Sequence, residues 1–248
     1  MPTRLPLEQQ LDAISTEGDR FWDAIEAARD LNSQVPSCPD WDINDLAWHV
    51  LGVHAGWTEL VEHPTDDPTK AFEAEVAGGD PTFDNTALVE LGRGTMRRMV
   101  RTFGAADQSQ PTWTWAAQQD VAFITRHQVQ EAAVHRWDAQ TAAGVAVDPI
   151  EPEVAADSID EFLTLGRPAL TGNAAIPGSV HLHCTDVDGE WFVHPDGRVE
   201  PIHAKGDAAL RGAASDLLLA LYGRIPTDEL DVIGDRTVAE AFLSVRFG

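Results

Sequence analysis

The chain has 248 residues, enough for one large core or two modest ones, and 43% of them are hydrophobic, as in ordinary globular proteins. Acidic residues outnumber basic ones 41 to 17, for a net charge of −24. Without a basic patch to displace counterions, nucleic-acid binding is not expected, and an anionic membrane surface is disfavoured on the same ground.

No apolar run reaches transmembrane length, and the N-terminal MPTRLPLEQQ lacks the apolar centre of a signal peptide. Two distant cysteines, Cys38 and Cys184, do not make a disulfide framework. The expectation is a cytoplasmic protein with reduced thiols. Leu7, Leu11, Ile14, Phe21, Ile25 and Ala28 recur at helical spacing and predict a first helix over 7–32. The prolines of VPSCPDW, 35–41, break it. Asp42 reads as the N-cap of a second helix, 43–62, with an apolar stripe of Ile43, Leu46, Val50, Val53, Trp57 and Leu60. His49 and His54 flank that stripe on opposite sides, and periodicity does not choose which of them turns inward.

Residues 63–84 are rich in Pro, Gly, Asp and Thr and read as a long connection, either a lid or a disordered tip. A third helix is predicted over 85–104. Pro111–Trp115, PTWTW, reads as a cover for a pocket mouth or as plain packing.

The fourth predicted helix, 118–143, ends at Gly144 and carries RHQVQEAAVHRWD, 126–138. At about 100° per residue, His127, Glu131, His135 and Asp138 fall within roughly 80° of one another. Two imidazoles and two carboxylates on one stripe are costly to bury unless a divalent metal compensates them or the stripe faces water. Side chains one turn apart rise about 6 Å and can share an ion, whereas His127 and His135, about 12 Å apart along the axis, cannot. Spacing therefore allows Glu131 with His135, or His127 with Glu131. A third ligand must come from another helix, leaving one position for water or substrate. The His-Glu-x-x-His pattern of zinc proteases is absent.

A fifth helix is predicted over 151–166, with Pro152 at its start. The texture then changes. LTGNAAIPGS reads as a linker, SVHLHCTD alternates, and VDG and PDG mark turns between short β-type runs. DAALRG reads as a strand, followed by helices over about 212–223 and 236–245. The expected fold class is mainly α plus α+β, with a helical bundle over 1–166 and a small α+β domain over 167–248.

Three segments carry a resemblance: VPSCPDWDINDLAWHV, EAAVHRWDAQTAAG, and GAASDLLLALYGR with IGDRTVAEAFL. In this order, over nearly the whole chain, they resemble the mycothiol-dependent maleylpyruvate isomerase family, within the DinB-like metal-binding superfamily. The resemblance implies a DinB-like four-helix bundle followed by a small domain similar to sterol carrier proteins. It implies a divalent metal, most often zinc, held by His49, Glu131 and His135, and a carboxylate at Asp138. It also implies an arginine from the C-terminal domain, for which Arg211 and Arg224 are the candidates. His127 lies outside the motif, and a supporting role beside Glu131 is expected of it.

The activity so implied uses a small thiol, mycothiol, and a small electrophilic substrate. A metal-held thiol becomes thiolate near neutral pH. It would add to a conjugated double bond, allow rotation and leave, giving cis–trans isomerisation, or attack an electrophile and stay attached, giving S-transfer. Two other classes compete: a non-catalytic binding module for a small molecule, and a metal-activated hydrolase in which water replaces the thiol.

Overall fold

The computed structural model of the chain describes residues 4–65, 67–69, 71–72, 84–171 and 175–244. It divides into two compact units, one spanning Pro6–Asp148 and the other Met1–Leu5 with Pro149–Gly248. No described helix is long and apolar enough to cross a membrane. Residues 66, 70 and 73–83 of the expected long connection lie outside the described residues.

The first unit is built on α1 (Leu7–Ala27), α2 (Ile43–Glu62), α3 (Asn85–Ala105) and α4 (Val121–Ala143). The α1 helix stops short of residue 32 because Ala28 is extended. The Asp30 carboxylate then accepts from both the backbone N–H and the side-chain amide of Asn32, at 3.0 and 2.9 Å. That local bond offers the backbone a turn in place of another helical turn. VPSCPDW does more than break the helix. It forms an antiparallel ribbon of β1 (Gln34–Val35) and β2 (Cys38–Asp42) with an irregular register. Pro39 lacks an N–H, which a two-stranded ribbon tolerates because each strand has an unpaired edge.

The α2 helix opens with a capping box: Asp42 accepts from the Asp45 N–H at 2.9 Å, and Asp45 accepts from the Asp42 N–H at 3.1 Å. Asp120 caps α4 by accepting from the Phe123 N–H, and Gly144, at φ 67°, ends it in the left-handed conformation. The start of α2 and both ends of α4 are therefore fixed by short sequence signals.

Phe21, Trp22, Ile25, Ile43, Leu46, Leu88 and Met96 fill the centre of this unit. At Gly92 a Cβ would lie 2.1 Å from the Trp22 ring, so only glycine lets α3 approach α1 this closely. The α4 helix is fixed against α1 by charge. The fully buried Arg136 donates from Nε to Glu17 at 2.6 Å and from Nη1 to Gln140 at 2.9 Å and to the Asp148 carbonyl.

In the second unit, α5 (Pro152–Glu161) continues through a π-helical turn, Phe162–Gly166, into α6 (Arg167–Thr171). The linker expected over LTGNAAIPGS, 170–179, thus opens inside α6, which runs to 171, and 172–174 lie outside the described residues. The sequence reading put the division at 166/167, whereas α5 groups with the residues that follow it. The Trp191 indole donates to Asp160 at 3.0 Å, and Phe162 packs edge-on against Tyr222.

The sheet has the order β5-β4-β3-β6-β7, from β3 (Val180–Cys184), β4 (Glu190–Val193), β5 (Val199–Glu200), β6 (Ala208–Gly212) and β7 (Asp231–Gly234). The β3–β6 pair is parallel and the other pairs are antiparallel. The β7 strand went unpredicted, because DVIG is too short to show alternation and is bounded by residues that read as turn. The α7 (Ala214–Leu221) and α8 (Arg236–Leu243) helices complete this unit. Cys38 and Cys184 are not joined in a disulfide, and burial pushes the Cys184 thiol up to about 12.

Replacing Glu17 by Ala strands the Arg136 guanidinium in the interior. A loss on the order of 3 kcal/mol in urea unfolding is expected, and Glu17→Leu with Arg136→Met should recover most of it. A single-mutant loss below about 0.5 kcal/mol would show that the pair does not anchor α4.

Candidate metal centre

The centre lies between α2 and α4. His49 comes from the second turn of α2, Glu131 and His135 from the middle of α4, and their ligand atoms all lie within 4.8 Å of one another. The His49 and His135 rings meet edge-on with centroids 5.2 Å apart. Glu131 is shared: Oε1 is 3.3 Å from His127 Nε2, and Oε2 is 3.3 Å from His135 Nε2.

A second row of groups fixes these three. His135 Nδ1 is 3.0 Å from Asp138 Oδ2, and Ser37 donates to Asp138 Oδ1 at 2.5 Å. Asp138 has no exposed surface, so this bond fixes the imidazole's orientation and turns its Nε2 toward Glu131. Trp41 packs on His49 with centroids 4.7 Å apart. Trp115 and Phe123 flank His127 at 4.9 and 5.5 Å. Trp113 stacks on Trp57. The PTWTW segment thus contributes one ring beside the site and one to packing.

Of the two α2 histidines, His49 joins the cluster. His54, buried and without a hydrogen bond at Nδ1, lines a cavity of about 10 Å³ with Gln128, Glu131 and His135. That volume is room for roughly one water-sized sphere. Gln128 is 1% exposed, and neither atom of its amide has a hydrogen-bond partner among the described residues. A buried amide without partners costs about 1–3 kcal/mol, which a bound polar group would offset.

Burial by itself would raise the Glu131 carboxyl, but hydrogen bonds and charge from His127 and His135 outweigh it and hold the group well below the usual carboxylate range. For His135 burial works downward, and Asp138 and Glu131 together overcome it, pushing the ring up to about 9. For His54 burial dominates, and with the imidazoles of His49 and His135 it outweighs the opposing charge of Glu131, so the ring falls to about 4. The pocket thus holds concentrated negative charge beside a histidine kept neutral. Two imidazoles and one carboxylate within 4.8 Å suit a borderline divalent cation such as zinc. The Glu131 side chain keeps 23% of its surface exposed, so the centre is open on one side.

Ser37, Trp41 and Gln128 were not singled out from sequence. The first two were hidden in a segment read only as a proline break, and Gln128 in a helix whose polar residues are buried nearly all round. Arg211 and Arg224 belong to the second unit. Arg211 pairs with Asp231 across β6–β7 at 3.1 Å, and Arg224 Nη1 donates to the Tyr222 carbonyl at 3.0 Å.

These features define a class: a helical bundle with a His/Glu centre, followed by a small α+β domain. Two family models match the chain: the mycothiol maleylpyruvate isomerase N-terminal domain over residues 11–140 and the C-terminal domain of the same family over 153–241. The chain belongs to the mycothiol maleylpyruvate isomerase family. It is also similar in fold to two crystal structures, one of the mycothiol-dependent maleylpyruvate isomerase and one of a histidine-to-alanine mutant of it. The TM-scores are 0.62 and 0.63, at 14% identity and 94% coverage of both chains. No curated protein sequence matches significantly.

His54 provides a test of the electrostatics. Its folded value, about 4, lies below the 6.5 of an exposed ring, so wild-type stability should fall as pH drops from 6.5 to 4. In metal-free protein, His54→Leu should remove roughly 3 kcal/mol of that fall. Parallel stability–pH curves for the two proteins would place the buried charge penalty elsewhere.

Proposed function

We propose that this chain is a mycothiol-dependent metalloenzyme acting on a small electrophile, with cis–trans isomerisation as its reaction. The observation that carries the reading is the convergence of His49, Glu131 and His135 from two helices, within a family defined by a mycothiol-dependent isomerase. A divalent metal on these three residues would supply a positive centre that holds a thiol as thiolate near neutral pH. His49 and His135 would each offer an imidazole nitrogen, and Glu131 the one ligand carboxylate.

The chain's other residues orient and recognise. Asp138 accepts the Nδ1 proton of His135 and so leaves Nε2 as the ligating atom, while Ser37 keeps Asp138 in place. His127 restrains one oxygen of Glu131 and leaves the other, beside His135 Nε2, as the oxygen that would hold a metal. The unsatisfied amide of Gln128 supplies donors and an acceptor to a polar group of thiol or substrate.

Protein purified without chelator should contain about one zinc at this centre, lost in His49→Ala and Glu131→Ala and kept in His54→Ala. Maleylpyruvate should turn over only when mycothiol is present, with no net loss of thiol. Stoichiometric thiol loss would instead assign S-transfer, turnover without thiol a hydrolase, and binding without turnover a small-molecule-binding module. Asp138→Asn should lower metal affinity or activity by about 10- to 100-fold while the helix content holds.

A second expectation separates recognition from stability. Gln128→Leu should raise stability by about 1 kcal/mol, because it removes a buried unsatisfied amide, and should raise KM for thiol or substrate. A variant that is less stable with unchanged KM would make Gln128 a packing residue.

A further inference from the structure

The second unit holds another cluster of donors, unrelated to the centre on α2 and α4. His181 and His183 are two residues apart on β3 and so share one face of the sheet. Glu190 stands directly opposite His183 on the neighbouring antiparallel strand. His203, from the loop between β5 and β6, closes over them. One ligand atom from each of the four lies within 4.8 Å of the others.

One carboxylate gathers three rings. Glu190 Oε1 is 3.0 Å from His183 Nδ1, and Oε2 is 2.8 Å from His203 Nδ1 and 3.4 Å from His181 Nε2. The rings are mutually near-perpendicular, at 81° to 87°, with centroids 4.9 to 6.1 Å apart. An ionised carboxylate offers about four lone-pair sites, so simple pairing accounts for the approach of His183 and His203 to Glu190. The third ring is the informative one. His181 is 6% exposed, and its Nε2 makes no hydrogen bond, the 3.4 Å approach to Glu190 lacking the required geometry.

A buried ring nitrogen aimed into a cluster without a hydrogen-bond partner is a polar atom that a bound ion would satisfy. Exposure rises from His181 to His203, and the cluster borders a cleft of about 300 Å³ lined also by Val187, Asp188 and Pro201. An ion would therefore have a route in and room for a water or a small ligand.

We propose that His181, His183, Glu190 and His203 form a second divalent-metal site, selective for borderline transition ions such as zinc over calcium or magnesium. Three imidazole nitrogens and one carboxylate match the donor preference of zinc, cobalt and nickel, whereas calcium and magnesium take oxygen donors. The sequence signal is the H-x-H alternation within SVHLHC, with Glu190 supplied by the next strand.

The test is calorimetric titration of the metal-free full-length protein with zinc. Wild type should bind about two equivalents, Glu131→Ala about one, His183→Ala/His203→Ala about one, and the combined variant none. His183 and His203 are the partly exposed members, so their loss spares the core, and unchanged circular dichroism checks this. Glu190→Gln, which keeps size and removes charge, should weaken zinc binding at this site by at least about tenfold. If the His183→Ala/His203→Ala protein binds as much zinc as wild type, the second site does not exist. If Glu131→Ala alone leaves the stoichiometry unchanged, the first centre fails and the second stands. Magnesium should produce no heat of binding at micromolar protein, and binding as tight as that of zinc would overturn the selectivity.

Discussion

Burial of charge on α4 is the constraint on which the first unit depends. The helix is enclosed on nearly every side, yet it carries His127, Glu131, His135, Arg136 and Asp138 within three turns. Each of these would be costly to bury alone. The fold offsets that cost on two fronts. Arg136 is matched by Glu17 from α1 and by carbonyl oxygens on its own side, and Asp138 is matched by Ser37 and His135. With both faces pinned, α4 cannot rotate or slide, and Glu131 and His135 stay aimed at His49. The negative charge that remains is concentrated at Glu131, where a cation is the natural complement.

The same economy explains the ribbon at 34–42. Its strands are short, and as secondary structure it stabilises little. Its use is positional: it brings Ser37 to Asp138 and Trp41 to His49, then delivers the chain into the Asp42–Asp45 capping box. One segment thus sets the start of α2 and supplies groups that hold both histidines of the centre.

The two units solve the problem of gathering imidazoles differently. In the bundle, donors come from two helices and sit one turn apart, supported by a buried carboxylate. In the α+β unit they come from neighbouring strands and a loop, with one carboxylate central to three rings. Strands suit the second arrangement because alternation puts residues two apart on one face.

Much was legible in the sequence where the governing physics is local. The second, third and fourth helices, the Asp42 cap, the Gly144 stop and the β-rich character after residue 179 follow from periodicity, capping chemistry and glycine's access to positive φ. The stripe of His127, Glu131, His135 and Asp138 follows from the helical repeat alone. Spacing could not choose His49 over His54, because both flank one apolar stripe and only packing against α4 decides which reaches Glu131. Nor could it find Ser37 or Gln128, whose roles rest on contacts between residues far apart in sequence, or on the lack of any contact. The end of the fifth helix was misread because a π-helical turn carries the chain past Gly166 where propensity expects a stop. The sequence by itself determined which residue types stand one turn or one pleat apart, since backbone geometry fixes those intervals. Tertiary structure alone decided which of them meet, because burial and the pairing of buried charge depend on surfaces that distant segments bring together.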